Sequence, residues 1–548
     1  MRLLIYCDDP SYGGTAVNAG LLAQGLVEAG HAVALAAAAD ITGQAPGVSH
    51  LPIDCDTMRG FFKTVSSRTE PEEVLLAARP DLTLFCDGAP DSSLAAKAVC
   101  RDWGIPYGIQ VNYVAVDQIA AMGPRLEEAR RAFDAALAVA AVSGENLTLL
   151  RLVFNLSPQR SGVIRNGRPL NFFEPVPEAE RLARRDALGL APDEVLCLTV
   201  ARYEPRKGYR HLLAAAELLH GRKGGQRLRF AAIGHCLGSG RRQVEALVAA
   251  SPARDRVRLL GQRDDVREWL AAADIFALPS ESEGMPLCVI EAMAQSLPVA
   301  ASAVSGVPEL LGDAGVLLPD PNVSPEATAQ ALANALAWLA ADAPARVRLG
   351  QAGRQRALAH FTLPAMLRDW VGLVASLAPA VAASRPRWPD PADYQPPNKA
   401  GLGADIPVGE DVPAFPFLKD GWSHGEVSGR WTDGTRARLR LGLPEAARAG
   451  FVLELSGHPY PGGGAPLVMT LTADGRPAGR FAWPGAPENL DAALCCLPGS
   501  QGFPSQTDIV FSFDGAASPA SRGESDDERL LGFFLTRLRI APLGREEA

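Results

Sequence analysis

"DIFALPSESEGMPLCVIEAMAQSLPVAAS" (residues 274–302) is a strand, a loop, a helix and a second strand in one reading. "DIFALPS" (274–280) is a short apolar run. Gly284 is a turn-former, and Pro286 suits the first position of a helix that continues to Gln295. "PVAASAV" (298–304) then supplies the next strand. Strands joined through a helix run in the same direction and pair by a right-handed crossover, which predicts a parallel sheet. The helix also holds an anomaly. From Met285 to Ala294 it is apolar apart from Pro286 and one carboxylate, Glu291. Taking an ionised carboxylate out of water costs roughly several kcal/mol unless something hydrogen-bonds it. Glu291 therefore needs a partner, from the fold or from outside it.

The same alternation extends on both sides. Strands are expected at 194–201, 228–234, 257–261, 274–280, 298–304 and 315–319, with helical segments between them. An earlier set is expected at 2–7, 31–38, 81–86, 106–111 and 135–142, with an amphipathic helix at 15–30. Two doubly wound α/β units thus fill roughly the first 360 residues, and ligands of such sheets sit beyond the carboxyl ends of the strands. From Ser384 to Pro416 the chain is proline-rich and aperiodic, a linker or a strap. Beyond it, short alternating strands divided by turn residues predict an antiparallel β-sandwich. The expected division is 1–170 and 171–378 for two Rossmann-like domains, the second including a closing helix, then a linker at 379–416 and a β-sandwich at 417–548.

Bulk properties narrow the function. The chain has 548 residues, 47% hydrophobic and 21% charged, with a net charge of −9, which offers no footprint for nucleic acid. Nine cysteines are scattered without a C-x-x-C, so a zinc site or thioredoxin-like motif is not expected and a reducing compartment is. The opening "MRLLIYCDDP" meets acidic residues too soon for a secretory signal, and no apolar run is expected to span a bilayer. The expected setting is cytoplasmic, with peripheral membrane contact left open through the basic, apolar stretches 58–68 and 123–133.

Three stretches carry chemistry. The first is the loop before the helix, where free N–H groups and the helix dipole favour an anion or polar ligand, with Glu283 at the mouth and Glu291 deeper. An E-x7-E spacing alone is commonplace, since most helical glutamates are solvated. The second is "VARYEPRKGYRHLL" (200–213), which puts Arg202, Arg206 and Lys207 at a strand's carboxyl end. Cations there suit a diphosphate, although a charged turn in solvent looks the same in sequence. The third is "YCDDPSYGGTAVN" (6–18), where Gly13 and Gly14 open a helix and let backbone approach a ligand. It lacks G-x-G-x-x-G, so a nicotinamide fingerprint is not supported.

The order of "GG", "VIRNG", "ARYEPRKG", the run 257–302 and "SGVPELL" closely resembles the retaining GT-B glycosyltransferases of family 4, also called group 1. The resemblance covers about residues 1–378 and is strongest from Val200 to Leu318. It implies a nucleotide-diphosphate sugar donor in the cleft between two Rossmann-like domains, with a glycan, a lipid-linked molecule or another hydroxyl compound as acceptor. It implies no metal and no cofactor beyond the donor. Residue by residue, Glu291 would accept hydrogen bonds from the ribose, so that its partner is the ligand. Glu283 would hold a hydroxyl of the transferred sugar, near the backbone of Gly284, Met285, Pro286 and Leu287. Arg202 and Lys207, with Arg206 beside them, would neutralise the diphosphate leaving group, and Gly14 would let the first domain approach it. Asn166 and Gly167 match the interdomain segment.

Two departures stand out. Asn112 occupies a place where many members have histidine, and "GHCLGSG" replaces a common glycine-rich turn, with His235 and Cys236 in it. "DCD" (54–56) mimics a metal-binding D-x-D but lacks its context. The terminal segment resembles, less specifically, modules on bacterial polysaccharide-assembly enzymes. Trp422 and Trp431 there suit sugar stacking or a core, and the "SDDERLLG" acids suit calcium or solvent. Rival readings are a carbohydrate-binding scaffold with a degenerate cleft, and a glucan synthase or phosphorylase relative. Oligomeric state is not readable.

Overall fold

The computed structural model describes the chain apart from residues 10–12, 39–45, 54–56, 60–61, 65–67, 221, 223–224, 235–239, 390–404, 407–421, 427–428, 434, 444–446, 461–466, 484–488, 499–501, 505, 515, 517–530 and 543–548. The "DCD" run, the turn at His235 and Cys236, most of the acidic run near 525 and most of the linker thus lie outside the described residues, as do the side chains of Trp422, Trp431 and residues 58–67.

The first sheet contains β1 (Arg2–Tyr6), β2 (Ala32–Ala37) and β3 (Val48–Pro52). A small hairpin, β4 (Thr57–Arg59) and β5 (Phe62–Thr64), precedes its remaining strands β6 (Leu82–Asp87), β7 (Tyr107–Val111), β8 (Ala138–Ala141) and β9 (Ser161–Val163). Their order is β3-β2-β1-β6-β7-β8-β9, all parallel. The second sheet runs β12-β11-β10-β13-β14-β15, also parallel. Its strands are β10 (Val195–Val200), β11 (Leu228–Ile233), β12 (Val257–Gly261), β13 (Ile275–Leu278), β14 (Val299–Ser302) and β15 (Val316–Leu318). Sequence periodicity does not pick out β3 or β9. The edge strand β3 is mostly exposed and carries Ser49 and His50, while β9 has only three residues.

Strand order reverses between β1 and β6 in one sheet and between β10 and β13 in the other. At such a point the following loops diverge to opposite faces and leave a crevice. The two sheets are joined by two crossings that pair with each other. Arg168 N–H donates to Phe361 O at 2.9 Å, and Leu363 N–H donates to Arg168 O at 2.7 Å. The second crossing leads into the helix Leu363–Ala383, whose Met366, Trp370, Val374, Leu377 and Val381 join the core around β1, β2 and the helix Gly14–Glu28. Against the sequence expectation, this helix is long and apolar enough to cross a membrane by length and composition. Its buried face, however, is taken up by the first domain.

The terminal segment forms two antiparallel sheets. One orders Trp422–Glu426, Gly429–Asp433, Leu531–Pro542, Phe451–Pro459 and Leu490–Cys496, with Asp405–Ile406 beside Leu531–Pro542. The other orders Arg436–Gly442, Gln506–Asp514, Leu467–Ala473 and Arg476–Trp483. Alternate residues of both, such as Leu439, Leu455, Met469, Phe511 and Leu538, meet in one hydrophobic cluster of their own.

Candidate functional site

A cavity of about 440 Å³ lies at the two facing reversal points. The first domain contributes Gly13 and Gly14 after β1, Gly88 after β6, and Asn112 and Tyr113 after β7. The second contributes Arg202, Arg206 and Lys207 after β10, and Glu283 through Cys288 with Glu291 after β13. Every residue singled out from sequence as a donor-site candidate therefore borders one hollow. A smaller hollow of about 170 Å³ under Arg229, Arg256 and Arg258 lies near the strands' starting ends and shares no residue with it.

The helix after β13 is Leu287–Ala294, and Pro286 caps it just outside the first helical residue rather than occupying that position. The pyrrolidine ring fixes φ and has no N–H to satisfy. The first helical N–H groups, of Leu287 and Cys288, have no carbonyl within the helix to receive them. No acidic residue occupies the first turn to use them up. Gly284 is sterically required: a Cβ there would collide with the Asn112 carbonyl oxygen of the facing domain. Gly14 touches the same helix, since a Cβ on it would stand 3.3 Å from Leu287 Cδ1.

Glu283 and Lys207 meet, with Lys207 Nζ donating to Glu283 Oε1 at 2.8 Å. Gly208 fixes that geometry. Its φ of +76° is left-handed, and any side chain would strike the Pro279 carbonyl. Burial pushes the Lys207 ammonium below its ordinary range, Glu283 opposes that, and Arg206 and Arg202 add to it. Arg202 and Arg206 are bound on either side of Glu204, at 3.0 Å and 2.8 Å. Burial pushes the Glu204 carboxyl up, but Arg202 and Arg206 outweigh it and hold the group below the usual carboxylate range. Glu204 thus positions two cavity-lining arginines, and no motif announces it. Its only signal is its place two residues from each arginine.

Glu291 is 9% exposed and does not wait unpaired. Arg168 Nε stands 2.8 Å from its Oε1, which overturns the expectation that only a ligand would serve it. The pair still borders the cavity. Local spacing could not reveal Arg168, which lies 123 residues earlier, in the first crossing.

The domains touch around the hollow at several further points. Asn166 Nδ2 donates to Met285 O at 2.9 Å, and Asn18 Nδ2 donates to Asn166 Oδ1 at 2.8 Å. Ser282 Oγ donates to the Tyr113 hydroxyl at 2.7 Å, and the Arg206 guanidinium lies 5.3 Å from the Tyr113 ring centre. Glu309 receives Gly144 N–H at 2.7 Å and Arg165 Nε at 2.8 Å, so one domain's carboxylate caps the other's helix Gly144–Phe154. Asn112 is held on Asp87 O through its side-chain amide at 3.1 Å. Among the described residues, no group of three or more His, Cys, Asp or Glu side chains converges as a metal site would require.

Comparison with known proteins bears on the fold and on residues 180–356. Residues 180–356 match the family model described as glycosyl transferases group 1. The chain is 35% identical over 211 residues to D-inositol 3-phosphate glycosyltransferase of Segniliparus rotundus, covering 36% of this chain and 42% of that one. It is 33% identical over 251 residues to alpha-maltose-1-phosphate synthase of Mycolicibacterium smegmatis, covering 42% and 61%. The chain therefore spans about half the length of the curated relatives it matches. Among solved structures, sucrose-phosphate synthase from Thermosynechococcus elongatus aligns with a TM-score of 0.56 at 22% identity, over 69% of this chain and 100% of that one. The Anabaena protein HepE, in complex with UDP and glucose, aligns with a TM-score of 0.58 at 19% identity, over 69% and 100%. The two parallel sheets are a GT-B fold, with a separate antiparallel region at the carboxyl end.

Proposed function

We propose that the protein is a glycosyltransferase that moves a sugar from a nucleotide-diphosphate donor to a hydroxyl acceptor, with retention at the anomeric carbon, in the manner of family 4. One observation carries the reading. A single cavity, at both reversal points, holds the cations Arg202, Arg206 and Lys207, the acids Glu283 and Glu291, and an open helix terminus at Leu287.

In this reading Glu291 accepts the ribose hydroxyls and Glu283 a hydroxyl of the transferred sugar. As the glycosidic bond lengthens, negative charge grows on the diphosphate and positive charge on the sugar ring. Lys207 and Arg202 stabilise the leaving group in place before the reaction, an arrangement worth about 2.7–4 kcal/mol per key donor. Attack from the leaving-group face lets a phosphate oxygen take the acceptor's proton, so no protein nucleophile is needed. The leaving group is then served by side chains and helix dipole, and we infer independence of a metal. The acceptor class is a glycan or a lipid-linked molecule in polysaccharide or glycoconjugate assembly, in a cytoplasmic setting with peripheral membrane contact.

Thermal-shift measurement with a panel of nucleotide sugars tests this, because a ligand that binds only the folded state raises its stability. UDP-glucose comes first in the panel, since the related HepE structure holds UDP and glucose. We expect one donor class to raise the midpoint and to release its nucleoside diphosphate during turnover. A flat response across the panel would sink the proposal. Turnover that requires inorganic phosphate would point instead to a phosphorylase.

A further inference from the structure

Arg168 is fixed more firmly than a loop arginine ordinarily is. Its N–H and carbonyl are both engaged with the second crossing, at Phe361 and Leu363. Its guanidinium carbon lies 4.2 Å from the centre of the Phe172 ring, and the residue is 7% exposed. Nε stands 2.8 Å from Glu291 Oε1, yet neither Nε nor Nη1 makes a directed hydrogen bond. The contact with Glu291 is one of charge, and two buried guanidinium nitrogens beside the cavity have N–H groups free to donate.

A guanidinium only donates and an ionised carboxylate only accepts. A group that satisfies both at once must donate and accept, as hydroxyls do. An oxyanion suits the arginine alone, since the Glu291 carboxylate, 2.8 Å from that guanidinium, would repel it. Neighbouring hydroxyls on a sugar ring fit: their protons go to Glu291 while an oxygen lone pair takes an N–H of Arg168. We propose that Arg168 is a specificity-determining residue that, paired with Glu291, reads the ribose diol of a nucleoside diphosphate. This rests on the donor reading above and extends it to a residue that reading leaves without a role.

Isothermal titration calorimetry with UDP, 2′-deoxy-UDP and 3′-deoxy-UDP tests it, with the ADP and GDP series run in parallel. The native protein should bind one ribonucleotide at least about tenfold more tightly than one of its deoxy forms, since a lost hydroxyl leaves a buried donor or acceptor unpaired. In Arg168→Met that ratio should fall below about threefold, with ribonucleotide affinity itself reduced about tenfold. Arg168→Lys, which keeps the charge with a different donor geometry, should fall between and carries the test if the methionine variant does not fold. A native protein indifferent to the missing hydroxyls, or variants that keep the native ratio, would overturn the role of Arg168 while leaving the donor reading standing. Absence of binding by any of the three nucleoside diphosphates to the native protein would remove the donor reading and this inference together.

Discussion

Removing the Glu291 carboxylate strands the Arg168 guanidinium, which is why the form of the substitution matters. The side chains of the pair are 8% and 11% exposed, so breaking it leaves an uncompensated, nearly buried charge. We expect Glu291→Ala to lose about 3 kcal/mol of stability together with at least about tenfold in nucleoside diphosphate affinity, measured by denaturant titration and calorimetry. Glu291→Gln keeps the shape and one acceptor, and should separate the two losses by sparing more of the stability. Lys207 gives a pH signature. Burial depresses its proton affinity, so it should discharge at lower pH than a surface lysine as the solution becomes alkaline. Nucleoside diphosphate affinity should therefore decline with rising pH in the native protein. Lys207→Ala should bind weakly at all pH values and lack that alkaline decline, and an unchanged profile would remove the lysine from the site. Sequence showed Lys207 and Glu283 separately, because each follows a recognisable strand. Their ion pair spans 76 positions and follows only once β10 and β13 are neighbours. Arg168 was illegible for the same reason, compounded by a crossing whose backbone pairing no local pattern encodes.

Among elements, the strands around the reversal points were the most readable, since continuous apolar runs bounded by Gly and Pro mark buried parallel strands. The edge strand β3 was not, because an edge needs only one neighbour and tolerates Ser49 and His50. The loop after β13 has a demand that sequence states only as a glycine. Gly284 lies against the Asn112 carbonyl, and a methyl group has no room while the domains are together. Gly284→Ala should therefore leave each domain's own core untouched but oppose their approach. We expect a turnover reduced about a hundredfold, with the unfolding midpoint nearly unchanged. Small-angle scattering in the presence of donor should show a larger radius of gyration than the native protein. A native radius and a native rate would refute the contact.

At the scale of the whole molecule, the terminal sheets have their own hydrophobic cluster, distinct from those of the parallel sheets. They should unfold in a separate calorimetric transition. Asp508 locates it. Burial raises its carboxyl, but Arg440 on the neighbouring strand, at 2.8 Å, and Arg438, at 3.2 Å, outweigh this and hold it below the usual carboxylate range. A depressed carboxylate contributes stability that is present above its unfolded value, near pH 3.9, and is lost as pH falls through the folded one. Asp508→Asn should lower that transition by about 1 kcal/mol at pH 7 and by progressively less below pH 4, with the parallel-sheet transition unmoved. The paired crossings at Arg168 and Thr362 have a consequence for the order of events. Two chain crossings held together by a pair of backbone hydrogen bonds form a narrow axle, so a swing about them is the motion we expect between the domains. Points beside an axle sweep the shortest arcs, and Arg168 with its carboxylate neighbour lies there. On the proposed function, the nucleoside end of a donor would then dock while the jaws are apart, and would be the last part of the product to leave.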